Sequence, residues 1–160
     1  MTQRVAPGEL QNPVTRKGLA LWERLRGPRA FPSRNQMTPR DMGDMLANIV
    51  LVKVLDGGAE FEFRIVGDAI VVAQGASFKG MNLAQIDEVL PGYGIMLRAV
   101  YGHVVEAREV LAFRGWFERR ADNRSFFHET LVLPLGESDA AVDHVLVVAV
   151  HAFDHADNLR

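Results

Sequence analysis

The sequence predicts an α+β domain in which five antiparallel strands form one sheet, with helices packed on one face and an extra N-terminal helix. Residues 61–66 alternate between two faces, and their aromatic and β-branched side chains are typical of a strand. Apolar residues recur every three or four positions over 15–26 and 92–107, which indicates helices. Further strand-like runs occupy residues 49–55, 110–117, 126–135 and 142–153. Two strands, then helices, then three consecutive strands suggest a single antiparallel sheet.

The composition is that of one soluble globular domain. The 160 residues are 48% hydrophobic and 24% charged, and no apolar run is long enough to cross a bilayer. The first 18 residues lack the apolar centre of a signal peptide, so we expect a cytoplasmic protein. The chain has no cysteine, which excludes disulfides, thiolate metal sites and a cysteine nucleophile.

Charge is distributed unevenly along the chain. Residues 1–40 hold eight basic and two acidic side chains, a net charge of +6, and the remaining residues carry −8. Such a split can create a basic patch for nucleic acid. The alternative, which we favour, is that these basic side chains pair with acidic residues of the same domain, because they are spread out and lack interleaved aromatic residues.

The N-terminal region divides into an arm and a helix. Residues 1–14 lack periodicity and are predicted to be a flexible arm. A helix is predicted from Thr15 to Arg26, and its apolar stripe either covers the outer face of the sheet or pairs with a second copy in a homodimer. The stripe consists of Leu21, Trp22 and Leu25.

The centre of the chain supplies the first two strands and the helices that follow them. Thr38-Pro39 begins a helix, and the Asp56-Gly57-Gly58 turn joins the strand over 49–55 to the strand over 61–66. Asp68 can cap the next helix. A helical turn over 81–86 precedes the long helix over 92–107, which we expect to lie across the sheet. The division is an arm (1–14), a helix and connector (15–36), a main domain of sheet and helices (37–155) and a tail (156–160).

Three segments of the chain resemble a known family. The segments LWERLRGPRAFPSR, FEFRIVGDAI and ETLVLPL are similar in order and spacing to the bacterial PAS domains called PAS_5, over roughly Gly18 to Phe153. The resemblance implies a sensory and interaction module with a PAS-like sheet. Because there is no cysteine, it does not imply a flavin photoadduct or a thioester-linked chromophore.

Alternation and helix phase place a set of side chains toward an apolar pocket between sheet and helices. A one-residue change of register would move any strand residue to the other face. The predicted ligand-binding residues are Arg64, Val66, Ile70, Gln74, Phe78, Met96, Val100, Val104, Phe113 and His128.

Arg64 is the charged member of this set. It lies on the strand face opposite Phe61 and Phe63, and a partly buried guanidinium needs an anionic partner. That partner is a bound ligand or an internal acid such as Glu129, and we favour the internal pair because buried charges are usually paired within the protein.

The histidines allow two kinds of site. His128 could bind haem iron or act as a proton-sensitive switch, and His103 is a less favoured haem ligand. A histidine held by a hydrogen bond is the commoner case. The cofactor therefore stays unknown. His151 and His155, with Asp154 and Asp157, resemble a metal cluster, but they stand where the last strand runs into the terminus, so we expect no metal site.

These observations favour a stand-alone PAS-type sensory or adaptor module of bacterial signalling, which binds a small molecule, a protein partner or both. No catalytic motif is present, so we predict no enzymatic activity. The first alternative is a small cone-fold-like isomerase or dehydratase that uses His128 with Asp68 or Asp87. The second is a nucleic-acid binder that uses the basic N-terminal helix. Neither a membrane nor a nucleic acid is an expected partner.

Overall fold

A computed structural model describes residues 1–119 and 122–153 of the chain. The strands are β1 (Thr2–Val5), β2 (Ile49–Leu55), β3 (Glu60–Val66), β4 (Leu111–Arg119), β5 (Arg124–Leu135) and β6 (His144–Phe153). The α-helices are α1 (Pro13–Arg26), α2 (Pro39–Met42), α3 (Asp68–Gln74), α4 (Leu83–Val89) and α5 (Tyr93–Ala107). Short 3-10 helices cover Pro7–Glu9, Arg34–Gln36, Gly43–Asn48 and Asp56–Gly58.

All six strands belong to one antiparallel sheet with the order β1-β4-β5-β6-β2-β3. The α+β class and the five predicted strands are confirmed. The sixth strand, β1, was not predicted, and it corrects the expectation of a flexible arm over residues 1–14. Its backbone pairs with Ala112 to Gly115 of β4, which satisfies amide groups that a free arm would leave to water.

The sheet has two covered faces. The inner face carries Phe61 of β3, whose ring meets Tyr101 of α5 edge-on at a centroid distance of 5.7 Å. Helices α3, α4 and α5 lie on this side. The outer face carries Leu131 and Val148, and both approach Gly18 of α1 so closely that a Cβ there would lie 3.1 Å from Val148 Cγ2. The extra N-terminal helix therefore covers the face opposite α3, α4 and α5, and α2 lies beside it.

Helix α1 is fixed to its own sheet by its apolar stripe. Leu21 and Trp22 are only 5% and 7% exposed, and Trp22 Nε1 donates a hydrogen bond of 2.8 Å to the carbonyl of Pro134. Leu25 is partly buried against the same core. Of the two readings left open by the sequence, coverage of the sheet is the one observed. Leu21 and Trp22 are buried within the chain, so they are not available as a homodimer interface.

Strand β3 contains a bulge that the sequence pattern did not reveal. Phe63 faces Val52 and Ile65 faces Leu51, which leaves Arg64 as an extra residue without a counterpart on β2. The bulge reverses the alternation, so Ile65 leaves the side of Phe61 and Phe63 and is 40% exposed. The prediction that these three residues share one face is therefore wrong beyond Phe63.

None of the helices in the described part of the chain is both long enough and apolar enough to span a membrane.

Candidate functional site

The space that was predicted to hold a ligand is occupied by side chains. Ile70, Phe78 and Val104 are at most 3% exposed and belong to one continuous core. Interiors packed in this way leave few voids larger than a water molecule. Other buried members of this layer are Phe61, Phe63, Leu83, Ile86 and Tyr101.

The remaining predicted pocket residues are partly buried, hydrogen-bonded or exposed. Val66, Val100 and Phe113 are partly buried against the core. Met96 is 48% exposed on the outward side of α5, which contradicts its inward placement. Gln74 donates a 2.8 Å hydrogen bond to the Tyr93 hydroxyl, whose pKa burial raises to about 12.

Arg64 does not reach the predicted partner. Its guanidinium donates to Glu62 Oε1 at 2.6 Å, and its side chain is 45% exposed at the edge of the sheet. Arg64 therefore pairs with an internal acid, as we favoured, but that acid is Glu62 and not Glu129. The bulge explains the difference, because the extra residue turns outward instead of toward the helices.

Glu129 instead anchors the N-terminal segment on the outer face. Although it is only 3% exposed, its carboxylate accepts hydrogen bonds from the amides of Gln11 and Asn12 and from the Thr15 hydroxyl. Arg114, directly opposite on β4, donates from Nε at 3.1 Å and from Nη2 at 3.0 Å. Burial alone would raise the Glu129 pKa, but these donors together lower it. The carboxylate stays ionised and fixes the start of α1.

A histidine pair lies on the inner face near the end of the sheet. His128 and His151 are cross-strand neighbours whose rings stack at a centroid distance of 6.3 Å, and the Phe117 ring meets both edge-on. His128 is hydrogen-bonded to the hydroxyls of Thr2 at 2.8 Å and Thr130 at 2.9 Å. Burial lowers the pKa of His128, and burial with the neighbouring His128 lowers that of His151 to about 4. Both rings are neutral at pH 7.

A surface depression of about 300 Å³ opens beside this pair. Its lining combines small apolar side chains of α3 with one aromatic ring, one imidazole and two polar groups. The residues are Asn48, Asp68, Ala69, Val72, Ala73, Phe126 and His151. None of the predicted ligand-binding residues is among these seven lining residues.

The edge of the sheet at β1 carries a second small polar cluster. Arg4 donates to Glu109 Oε1 at 3.1 Å, and the same oxygen is 2.7 Å from His103 Nε2 on α5. The hydrogen bonds from His103 and Arg4 lower the Glu109 pKa. His103, weighed above as a haem ligand, is therefore an exposed partner of Glu109.

The sequence signals for metal and acid–base chemistry do not converge. Within residues 1–119 and 122–153, no three or more His, Asp or Glu side chains are grouped so as to hold a metal ion. Asp154, His155 and Asp157 lie outside the described residues. Asp87 accepts from the amides of Gly92 and Ile95, so it caps the start of α5 instead of meeting His128.

Sequence reasoning overlooked the residues that tie the N-terminal segment to the sheet. Thr2, Arg4 and Gln11 carry no periodic signal, and their partners are more than 100 positions away. A usable signal exists at Glu129, because a carboxylate between Phe127 and Leu131 on the same strand face interrupts an apolar row.

Comparison with known proteins gives a family model and a similar fold. The model described as PAS_5, a PAS domain, matches residues 10–149. A solved structure described as "Structure of an RNA-binding Light-Oxygen-Voltage Receptor" is similar, with a TM-score of 0.51 and 14% sequence identity. The alignment covers 94% of this chain and 37% of that receptor chain, so this chain spans little more than a third of it. No curated protein shows significant similarity to the chain.

Proposed function

The chain belongs to the PAS_5 family of PAS domains, and from this premise we propose that it is a bacterial, cytoplasmic signalling adaptor that acts by binding a protein partner. The membership confirms the resemblance of the three sequence segments, and the family supports a sensory role. In this proposal the module has no catalytic activity of its own, and its output passes through the partner.

The filled interior is the observation that carries this proposal. A ligand sensor needs a cavity that buries most of the ligand surface. Here aromatic and aliphatic side chains such as Phe63, Phe78 and Tyr101, none more than 3% exposed, occupy the layer between the sheet and α3–α5. With this layer packed, recognition at the surface is the simpler way for the domain to communicate.

The surface of α5 also supports the proposal that the domain binds a protein partner. Ile95 and Met96 are 68% and 48% exposed, and Val89 at the end of α4 is 57% exposed. Grouped exposed apolar residues are unfavourable in water and often mark interaction sites.

Native mass spectrometry tests the ligand side of the proposal. We expect the purified protein to have the mass of the bare 17.8 kDa chain, without a stoichiometric small molecule. A bound compound that survives purification, at one per chain, would overturn the proposal of a purely protein-binding role.

Site-specific photo-crosslinking in cells tests the partner side. A photo-reactive amino acid is placed at Ile95 or at Gln3, with exposed Asp56 in the β2–β3 turn as the control position. We expect a discrete protein adduct at one or both of the first two positions that is missing at Asp56. Identical adducts at all three positions, or none at all, would contradict the proposal.

The surface depression favours a second candidate function, recognition of a small molecule at the surface. It combines the Phe126 ring, the neutral His151 imidazole and the Asp68 carboxylate in one opening. Val72 lines it and is 65% exposed, so Val72→Trp would fill it without disturbing the core. In a fragment screen followed by NMR, shifts in these lining residues that disappear in the variant would establish this candidate. Their absence would remove it.

We propose no nucleic-acid partner for this chain. RNA binding is a property of the light-oxygen-voltage receptor, to which this chain is similar in fold alone. Two basic side chains of the N-terminal region already pair within the domain: Arg4 with Glu109 at 3.1 Å, and Arg29 with Asp139 at 3.5 Å. A gel shift of RNA or DNA at low salt that weakens as salt is added would overturn this.

A further inference from the structure

We propose that β1 occupies an edge of the sheet that receives an extended segment of the partner, so that residues 2–5 act as a displaceable internal ligand. The inference rests on the proposed function, because it names the kind of protein segment that the adaptor binds. Strand addition to a sheet edge is a common mode of peptide recognition, in which main-chain hydrogen bonds give affinity and side-chain contacts give specificity.

The contacts of β1 are few and exposed. The strand has four residues, and only Val5 is buried. The side chains of Arg4 and Glu109 are 55% and 47% exposed, and an exposed ion pair of this kind contributes little to stability. The hydrogen bond between Thr2 and His128 is its other side-chain anchor. A short, exposed strand of this kind can open without unfolding the core.

The structure separates β1 from the anchored helix. Residues 6–9 form a connection that includes the 3-10 helix Pro7–Glu9, and none of these residues is buried, whereas Leu10 after them belongs to the core. Beyond it, Glu129 holds the amides of Gln11 and Asn12. Because this anchor lies after the connection, residues 1–5 can leave the edge while α1 remains on the outer face.

The edge that β1 covers is suited to an incoming strand. Strand β4 has nine residues; the residues of β1 lie opposite Ala112 to Gly115, and the Trp116 amide donates to the Met1 carbonyl. Gly115 makes room for the passing chain, because a Cβ there would lie 2.2 Å from the Met1 carbonyl oxygen. Any side chain at this position would force the neighbouring strand away.

The residues of β1 indicate which peptide fits. Thr2 places a hydroxyl 2.8 Å from His128 Nε2, and Arg4 places a guanidinium 3.1 Å from Glu109 Oε1. Val5 is 8% exposed and lies opposite the buried Ala112. The partner segment is therefore an extended peptide with Ser or Thr, then any residue, then Arg or Lys, then an apolar residue.

Fluorescence anisotropy with a labelled peptide of residues 1–6, MTQRVA, tests the proposal on the full chain. The protein variant Arg4→Glu places two carboxylates together and weakens its own β1, while Glu109 stays available to the arginine of the peptide. Since displacement of the internal strand limits affinity, we expect the peptide to bind this variant at least about tenfold more tightly than the wild-type protein.

Two matched controls locate the binding site. Arg16→Glu reverses an exposed charge on α1 and should leave the wild-type affinity unchanged. In the Arg4→Glu background, Gly115→Val should abolish binding, whereas Gly102→Ala, where a Cβ meets nothing within 4 Å, should not. A peptide with its own arginine replaced by glutamate should fail to bind every variant, whatever the stability of the protein.

Equal peptide binding to wild type and to Arg4→Glu, no binding to either, or binding that survives Gly115→Val would overturn the edge proposal. Any of these outcomes leaves the protein-partner function to be judged by native mass spectrometry and cellular crosslinking. Conversely, the peptide could bind at the edge while no cellular adduct forms at Ile95 or Gln3. That result would contradict the proposed function, but the edge would still be shown to bind an extended peptide.

Discussion

At the scale of single residues, the most consequential group is the Glu129 carboxylate. It is almost fully buried, yet it carries a charge, and it is satisfied by Arg114 together with donors from Gln11, Asn12 and Thr15. A buried ion that loses one of its partners costs far more than an exposed one, because the remaining partner is left desolvated. The attachment of the N-terminal segment therefore depends largely on this side chain.

Glu129→Gln should lower the free energy of unfolding by about 2–4 kcal/mol, because Arg114 loses its counter-charge inside the protein. Urea denaturation followed by circular dichroism measures the loss. The matched control is Glu62→Gln, which removes the exposed pair with Arg64 and should change stability by less than about 0.5 kcal/mol. Equal losses in the two variants would contradict the anchoring role of Glu129.

The Glu129 carboxylate should also determine part of the loss of folding stability at low pH. Its pKa in the folded protein lies below the ordinary 4.5, so its contribution to stability is full above pH 4.5 and is lost as pH falls through the folded pKa. Glu129→Gln should therefore show a shallower loss of stability below pH 4.5 than the wild type does, as measured by urea midpoints at several pH values. If the urea midpoint of Glu129→Gln fell with pH as steeply as that of the wild type, the lowered pKa of Glu129 would be contradicted.

His151 predicts a separate pH dependence at higher pH. Its pKa falls from 6.5 to about 4 on folding, so between these values the unfolded chain binds a proton that the folded chain does not. Stability should be full above pH 6.5 and decrease as pH falls toward 4. His151→Phe keeps an aromatic ring beside Phe117 and should reduce the difference in urea midpoint between about pH 7 and pH 5. An NMR titration that gives His151 a pKa near 6.5 would contradict it.

At the scale of elements, the joint between β3 and α3 depends on close approach of two backbones. A Cβ at Gly67 would lie 2.3 Å from the Ala47 carbonyl oxygen and 2.5 Å from that of Leu46. Its amide also donates to the Ile49 carbonyl at 2.8 Å. The glycine of the segment FEFRIVGDAI is therefore explained by contact between the end of β3 and the 3-10 helix Gly43–Asn48.

Gly67→Ala should destabilise the protein by about 2–4 kcal/mol, since the backbone must shift to admit one methyl group. Gly102→Ala is the matched control, because a Cβ at Gly102 of α5 meets nothing within 4 Å. That change should instead stabilise the protein by about 0.5–1 kcal/mol through helix propensity. Thermal unfolding of both variants measures whether each change raises or lowers stability. A change of stability in the same direction in both variants would refute the packing argument.

Helix α1 gives a prediction that separates packing from self-association. Leu21→Ala should cost about 2–5 kcal/mol, because a buried side chain is removed from the interface with the sheet. Leu25→Ala, at a partly buried position, should cost less. Size-exclusion chromatography should give both variants the elution volume of the wild type. A change in oligomeric state caused by Leu21→Ala would restore the homodimer reading of this stripe.

The elements that could be predicted are those whose pattern is local. The helix over 92–107 and the strands over 49–55 and 126–135 follow from side-chain periodicity, and the structure places elements there. The bulge at Arg64 could not be predicted, because one unpaired residue leaves no mark in an alternating sequence. Strand β1 was not predicted for another reason: its pairing partner lies more than 100 residues away, and three of its four residues are polar.

At the scale of the whole molecule, the predicted arrangement of sheet and helices holds, but its use differs from the expectation. Alternation and helix phase correctly predicted that Ile70, Phe78 and Val104 point inward. Whether inward residues surround a hollow or fill it depends on side-chain volumes summed across several elements, and no single segment carries that information. For this reason the residues that were predicted to line a pocket form part of the core instead. The sheet edge near Thr2 was not predicted.

The positions of the two tryptophans give the molecule a pair of natural optical reporters. Trp22 is buried at 7% exposure between α1 and β5, whereas Trp116 is 36% exposed on β4, where its amide donates to the Met1 carbonyl. The emission of Trp22 will follow separation of the helix from the sheet, and that of Trp116 will follow events beside the first strand. Since the chain lacks cysteine, a single engineered thiol can carry an acceptor dye, and energy transfer can then time the two events independently.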